Sequence, residues 1–227
     1  MSKPMLSIDY FSDVLCIWAY VAQPRIDRFY EQFSGQVQMQ HRFIPIFGNA
    51  KHRISTLWAA KGGFGGFNEH LRAINEQFDH IDINQELWIH SQPSTSATAH
   101  LFLKAIDLWQ REQGISCSQT INTVATEIRR AFFDHARNVS HLDVLYSIID
   151  ELEIPRRDIQ PFLDDGRALA GLYEDSELQH ENKIEGSPTF VINEGRQKLY
   201  GNVGYKIIEA NIHELLSEPN KDQASWC

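Results

Sequence analysis

The sequence predicts an α/β fold in which a β-α-β unit opens the chain, a β-β-α unit closes it, and a helical block separates the two. Three observations predict this order. Residues 5–11 and 37–43 alternate apolar with polar positions, as half-buried strands do, and the stretch between them has the period of an amphipathic helix. Across 49–180 the apolar residues recur at helical spacing. From 189 onward two short strand-like runs flank a turn, and a last helical stretch follows.

The elements follow in order. Leu6, Ile8 and Tyr10 mark the first strand. From about Cys16 to Phe33 a single helix is expected, with Trp18, Val21, Ile26, Phe29 and Tyr30 on one side and Gly35 as its stop. Val37, Met39, His41 and Phe43 alternate with Gln38, Gln40 and Arg42 in a second strand, so the crossover between the strands should be right-handed. Lys61-Gly62-Gly63-Phe64-Gly65-Gly66-Phe67 is expected to be a flexible break, a hinge or lid over the site. Helical stripes then run through Leu71, Ile74 and Phe78, through Leu101, Ala105, Leu108 and Trp109, and through Ile121, Val124, Ile128 and Phe132. Ser140 and Asp143 form a capping-box variant ahead of Leu145, Ile148 and Ile149, and Pro155 closes that helix. Segments 158–162 and 169–180 continue the helical pattern. Thr189 to Ile192 and Gln197 to Tyr200 form a hairpin around Asn193-Glu194-Gly195-Arg196, and Val203 to Leu216 is the closing helix.

Composition narrows the function. With 227 residues, 42% of them hydrophobic, the chain can build one large domain or a domain with a sizeable insertion. A net charge of −9 and the lack of a basic run exclude a general nucleic-acid binder. No run of apolar residues is long enough for a membrane span. Met1-Ser2-Lys3-Pro4 leads directly into a strand without a secretory apolar region, so cytoplasm is the expected compartment. His70, His80, His90 and His100 do not share a helix face, and no His-Glu-X-X-His occurs, so no metal site is expected. Three widely spaced cysteines (Cys16, Cys117, Cys227) make neither a disulfide framework nor a zinc site. Cys117 lies in a polar turn and is read as incidental to the chemistry, whereas Cys227 ends a polar tail and leaves a resolving role open as an alternative.

Cys16 carries the chemistry. Its position between the first strand and the first helix turns the thiol toward unpaired N–H groups and the positive end of the helix dipole. Both favour thiolate, the nucleophilic form. A Cys-X-X-Cys pair would put a second sulfur at position 19, where this chain has Ala19. The second motif is Gly186-Ser187-Pro188-Thr189-Phe190, directly ahead of the hairpin. Proline at the start of a strand is tolerated in any sheet, and the residues alone leave both isomers of the Ser187–Pro188 bond open.

The order of elements, the segment from Ser12 to Tyr20, the stretch from Glu127 to Asp165 and Gly186-Ser187-Pro188-Thr189-Phe190-Val191 together resemble the thioredoxin superfamily, and more narrowly its DsbA-type branch. That branch includes thiol-disulfide oxidoreductases, kappa-class glutathione transferases and hydroxychromene-carboxylate isomerases. The resemblance implies a thioredoxin-like fold over 1–48 and 181–218, a large all-helical insertion over 49–180 and a flexible tail over 219–227. It implies that Cys16 is the attacking thiol and that the Ser187–Pro188 bond is cis. It implies that the Ser187 backbone aligns a peptide or the cysteinyl part of glutathione. Trp18 is placed with the binding residues, although ring packing accounts for it as well. Gly201 and Asn202 fall near the segment that holds the γ-glutamyl end in the glutathione-using members. Those members continue with Asp-Arg, where this chain has Val203-Gly204.

The function implied is a thiol-disulfide oxidoreductase working through one cysteine on mixed disulfides or glutathione adducts. Its partners would be a protein or small-molecule disulfide, or glutathione as co-substrate, with no tightly bound cofactor. The kappa-class likeness implies a homodimer. Two alternatives are a glutathione-dependent transferase or isomerase and a non-catalytic thioredoxin-like binding module.

Overall fold

The computed structural model describes residues 6–114 and 119–217. Cys117, Cys227 and the tail 219–227 lie outside the described residues. Strand β1 (Leu6–Ser12) leads through α1 (Ile17–Val21) and α2 (Gln23–Phe33) to β2 (Val37–Phe43). Helices α3 (Ala50–Leu57), α4 (Gly63–Asn75), α5 (Leu87–His90), α6 (Ala97–Glu112), α7 (Gln119–Phe133), α8 (Leu142–Glu151), α9 (Arg156–Asp164) and α10 (Arg167–Glu181) follow. Strands β3 (Thr189–Ile192) and β4 (Gln197–Tyr200) and helix α11 (Tyr205–Leu216) end the fold. This is the thioredoxin-like α/β arrangement with a large helical insertion that the sequence predicts. No helix among the described residues is long and apolar enough to cross a membrane.

The sheet order is β2-β1-β3-β4, with β1 parallel to β2 and antiparallel to β3. Period-two alternation in β1 sends Ile8 and Tyr10 to one face and Phe11 to the other. The first face packs on α2 and α11 through Ile26, Phe29, Phe33, Ile208 and Ile212. Each such buried apolar side chain contributes about 1.5–3 kcal/mol. A second and larger core gathers α1 with the insertion helices, and Cys16 belongs to it. The register pairs Phe11 with Thr189 and Ser12 with Phe43. The chain leaving β1 therefore emerges beside the chain entering β3, which is how residues far apart in sequence meet at one end of the sheet.

Three local expectations are corrected. The single helix expected over 16–33 is broken at Ala22, because Pro24 has no N–H to donate back to Tyr20 and instead sits in the first turn of α2. The glycine-rich segment is no flexible break. From Gly63 it is helical, and a Cβ on Gly66 would lie 1.6 Å from the Lys61 carbonyl oxygen, so glycine is what lets the two backbones touch. Ser140 does not cap α8. His141 holds the cap position, and the Ser140 hydroxyl donates to the Thr95 carbonyl at 3.1 Å.

A buried ion cluster ties the insertion to the sheet. Asp175, fully buried, meets Lys104 Nζ at 3.0 Å and Arg42 Nη1 at 3.3 Å, and accepts from the Phe43 N–H at 2.9 Å. Arg42 Nε also reaches Asp9 at 2.7 Å. Removing one member would leave an uncompensated buried charge, so the cluster is a registry device between β2, α6 and α10.

Two buried histidines set the acid limit of the fold. Burial lowers His41 from 6.5 to about 3, with the charges of Arg129 and Lys104 adding to the effect. Burial likewise lowers His100 to about 4. The unfolded chain therefore binds more protons below pH 6.5, so this stability is complete above that pH and is lost as pH falls toward 4. Urea unfolding should show a loss on the order of several kcal/mol over that range. Replacing both histidines with glutamine should flatten the pH dependence. An unchanged slope would show that neither histidine is buried neutral.

Candidate active site

After Ser12 the chain turns at Asp13, and Cys16 takes the N-cap position of α1 with extended backbone angles. Its N–H donates to the Asp13 carbonyl at 3.1 Å, and its own carbonyl accepts from the Ala19 and Tyr20 N–H groups at 3.1 and 3.2 Å. The Ser187–Pro188 peptide is cis. The Cys16 thiol donates to the Ser187 carbonyl oxygen at 3.2 Å. The Pro188 carbonyl accepts from the Gly201 N–H at 2.8 Å, which joins this turn to the end of β4.

Beneath the thiol loop lies the fully buried carboxylate of Asp13. One oxygen accepts from the Leu15 N–H at 2.8 Å, closing an Asx turn. The other accepts from the Phe47 N–H and the Ser96 hydroxyl, both at 2.8 Å. The Asp13 N–H donates to Ser187 Oγ at 2.9 Å. One residue thus joins the thiol loop, the segment after β2, the start of α6 and the Ser187 turn. His100 Nε2 approaches the same carboxylate at 3.6 Å, but it accepts from the Val14 N–H at 3.2 Å. With its pKa depressed by burial to about 4, His100 is neutral there, and this approach is not an ion pair. Arg129 of α7, fully buried, adds a tie to the end of β1 by donating to Ser12 Oγ at 3.1 Å.

Cys16 and Ser187 open onto a cleft whose walls enclose some 670 Å³ of space, part of it open to solvent. Trp18 lines it as well, and packs edge-on against Phe78. Ile46, Phe47, Phe67 and Leu71 supply an apolar surface, and Arg53, His70, Glu185 and Tyr200 supply polar groups. Of the residues singled out by sequence, Cys16, Trp18 and Ser187 therefore share one cleft. Pro188 is buried behind Ser187, Gly201 is tied to Pro188, and Asn202 is exposed and does not line the cleft. Ala19 is completely buried, and Cys16 is the free cysteine among the described residues. No cluster of His, Cys, Asp and Glu among the described residues could hold a metal ion.

Sequence reasoning passed over Asp13, although an acidic residue inside the run Phe11-Ser12-Asp13-Val14-Leu15 was a signal for a buried polar hub. It also passed over Phe47, Arg53 and Tyr200. Tyr200 is 68% exposed, yet its ring presses on Gly186, where a Cβ would meet ring atoms at 2.5 Å. The expectation of a resting thiolate is corrected too. Burial pushes the Cys16 pKa up, and the charge of Asp13 adds to this, while the Ser187 hydroxyl and the Ala19 and Trp18 N–H groups pull it down. Helix α1 has five residues, so its dipole is small beside the cost of desolvating a charge. At rest the group is a thiol, and it is positioned to donate to Ser187.

The sequence matches the family model of the DSBA-like thioredoxin domain over residues 7–213. No curated protein matches it. Several solved structures share the fold. A protein from Nitrosomonas europaea, put forward as a protein disulfide isomerase, has a TM-score of 0.72 at 14% identity and aligns over 95% of this chain and 100% of its own. The cytosolic disulfide reductase DsbM from Pseudomonas aeruginosa has a TM-score of 0.66 at 17% identity, over 92% of this chain and 100% of its own. The same protein solved with GSH has a TM-score of 0.64. A 2-hydroxychromene-2-carboxylate isomerase has a TM-score of 0.60 at 14% identity, over 97% and 100%. At these identities the likeness is one of fold.

Asp13→Ala strips the acceptor from three donors and should destabilise the protein by roughly 3 kcal/mol or more, since each buried donor left unpaired costs about 1–3 kcal/mol. Urea unfolding measures this directly. A loss below 1 kcal/mol would mean that the hub does not hold these segments together.

Proposed function

The chain belongs to the DSBA-like thioredoxin domain family, and on that footing we propose that it is a thiol-disulfide oxidoreductase acting through one cysteine, Cys16, on mixed disulfides or glutathione adducts. The observation that carries this is the Cys16 thiol 3.2 Å from the Ser187 carbonyl, beside the cis peptide and at the wall of an open cleft. An extended ligand whose N–H donates to that carbonyl competes with the thiol for the same acceptor. Loss of the thiol's acceptor favours ionisation, because hydrogen bonding to a neutral form holds the proton on. The N–H groups of Trp18 and Ala19 and the Ser187 hydroxyl then stabilise the anion.

The chemistry balances in two exchanges. Cys16 thiolate attacks one sulfur of the substrate disulfide, so that an Sγ–S bond forms, the substrate S–S bond breaks, and the departing thiolate takes up a proton. A second thiol then attacks the mixed disulfide, restores Cys16 and carries away the bonded sulfur as a new disulfide. Ala19 supplies no sulfur beside Cys16, so we take the second thiol from outside, as glutathione or as the substrate's own partner cysteine, with a distant cysteine of the chain as the alternative that the Cys117→Ala/Cys227→Ala variant below tests. Release by an outside thiol suits a reducing compartment, and cytoplasm is part of the proposal.

The apolar surface of Ile46, Phe47, Phe67 and Leu71 favours a second use of the same cleft, a glutathione-dependent transfer or isomerisation of an apolar electrophile. One experiment separates the two. The full chain, the Cys16→Ser variant and a Cys117→Ala/Cys227→Ala variant are each incubated with a glutathionylated peptide and reduced glutathione. Deglutathionylation is expected from the wild type and the double variant, with a mixed disulfide on Cys16 resolved by mass spectrometry. Cys16→Ser should lose at least 100-fold, since an alcohol does not replace a thiolate in this exchange. Turnover that survives in Cys16→Ser, or conjugation of an electrophile by that variant without any exchange activity, would overturn the proposal.

A further inference from the structure

Seven large apolar side chains are exposed among the described residues, and Tyr200 is the one of them that lines the cleft of Cys16 and Ser187. A lone exposed ring is ordinary on a protein surface. This one is set apart by what lies beneath it. A Cβ on Gly186 would fall 2.5 Å from Tyr200 Cε2 and 2.7 Å from its hydroxyl oxygen. Gly186 keeps its φ outside the left-handed region, so its backbone does not call for glycine. The ring does. It stands where a Gly186 side chain would stand, and most of its own surface is still bare.

The position of the ring is fixed from below. Tyr200 pairs with Thr189 across the hairpin, and the next residue, Gly201, donates its N–H to the Pro188 carbonyl at 2.8 Å. The Thr189 hydroxyl donates to the Gly186 carbonyl at 2.8 Å. The carbonyls of Gly186 and Pro188 are thus taken up within the turn, and the Ser187 carbonyl between them meets the Cys16 thiol at 3.2 Å. A strand-like ligand that sets its cysteine opposite Ser187 sets a neighbouring residue opposite Gly186. Facing side chains in such a ladder lie about 5 Å apart. Because Tyr200 fills the side-chain space of Gly186, that neighbour meets the Tyr200 ring. Tyrosine suits this use, since it offers a large rigid contact area for the loss of only two torsions. We propose that Tyr200 is a specificity-determining residue of the cleft, a platform that selects disulfides with an aromatic side chain next to the attacked cysteine. This rests on the thiol-disulfide function proposed above, and it names a feature of the substrate that Cys16 and Ser187 do not read.

The test uses the full chain carrying Cys117→Ala and Cys227→Ala, so that Cys16 is its one thiol. It is given the symmetric disulfides of the blocked peptides Trp-Cys-Gly, Gly-Cys-Trp and Gly-Cys-Gly, with bis(2-hydroxyethyl) disulfide as a small reference. The two tryptophan peptides cover both strand directions. Formation of the Cys16 mixed disulfide is followed by mass spectrometry of quenched samples, and each tryptophan rate is divided by that of the glycine peptide. Tyr200→Ala should lower the ratio for one tryptophan peptide by about two- to ten-fold, the range of an aromatic pair, and Tyr200→Phe should keep it. Gly186→Ala should lower the same ratio, because the exposed ring swings off the new methyl group, and should lower it little further when added to Tyr200→Ala. Ratios that stay in place in Tyr200→Ala overturn this inference alone, and a loss of urea stability alongside would mark the ring as a cover that steadies the hairpin. A protein that reacts with the small reference and with none of the peptides also overturns the inference alone. A protein inert toward all four disulfides overturns the thiol-disulfide function, and the inference with it.

Discussion

The buried carboxylate of Asp13 is the interaction on which the rest of the site depends. Taking a carboxylate out of water costs several kcal/mol, and the cost is offset only where hydrogen bonds satisfy it closely. Here the Leu15 and Phe47 N–H groups and the Ser96 hydroxyl all donate to it at 2.8 Å. Those donors come from the thiol loop, from the segment after β2 and from the start of α6. The backbone of Asp13 adds Ser187 from the other end of the chain. The thiol, the turn it faces and the rim of the insertion are therefore set by one residue.

The same arrangement explains why the thiol rests protonated. A cysteine at a helix start is commonly reactive because it is wet and faces a positive field. Cys16 is only 7% exposed, sits on a helix of five residues, and lies near a buried negative charge. Its acceptor is the Ser187 carbonyl, the group that the extended ligand of the proposed function would use. In that proposal ligand capture and thiol ionisation would be coupled through one oxygen atom. Such coupling would keep Cys16 protonated until a ligand takes the carbonyl, which suits a protein without a second thiol at position 19 to clear unwanted adducts.

Much of the fold was legible in the sequence, and the reason is periodicity. β2 spans Val37–Phe43 as its alternation predicts, and the hairpin around residues 193–196 lies where the turn residues put it. The break at Ala22 was also legible in principle, because Pro24 forbids a continuous helix. The role of Gly66 was not, since a run of glycines reads as flexibility when the contact that needs them, the Lys61 carbonyl, cannot be seen. Ser140 misled for a similar reason, its hydroxyl being used by Thr95, which lies 45 residues away. In the site, Cys16 and Ser187 could be paired in advance only through resemblance. The Asp13 hub joins Phe47, Ser96 and Ser187, partners too distant in sequence for any local pattern to connect. Arg53 and Tyr200 carry no motif, and their importance comes from the cleft they share.

The most direct measurement of this account is the pH dependence of Cys16 alkylation by iodoacetamide, resolved at the Cys16 peptide, in the wild type and in Asp13→Asn. The account predicts a wild-type midpoint above that of a free cysteine, and a lower midpoint in Asp13→Asn, where the nearby negative charge is gone. A wild-type midpoint well below the free value, unmoved by Asp13→Asn, would contradict it. Cys16 would then be a resting thiolate governed by its helix, and neither burial nor Asp13 would set its state.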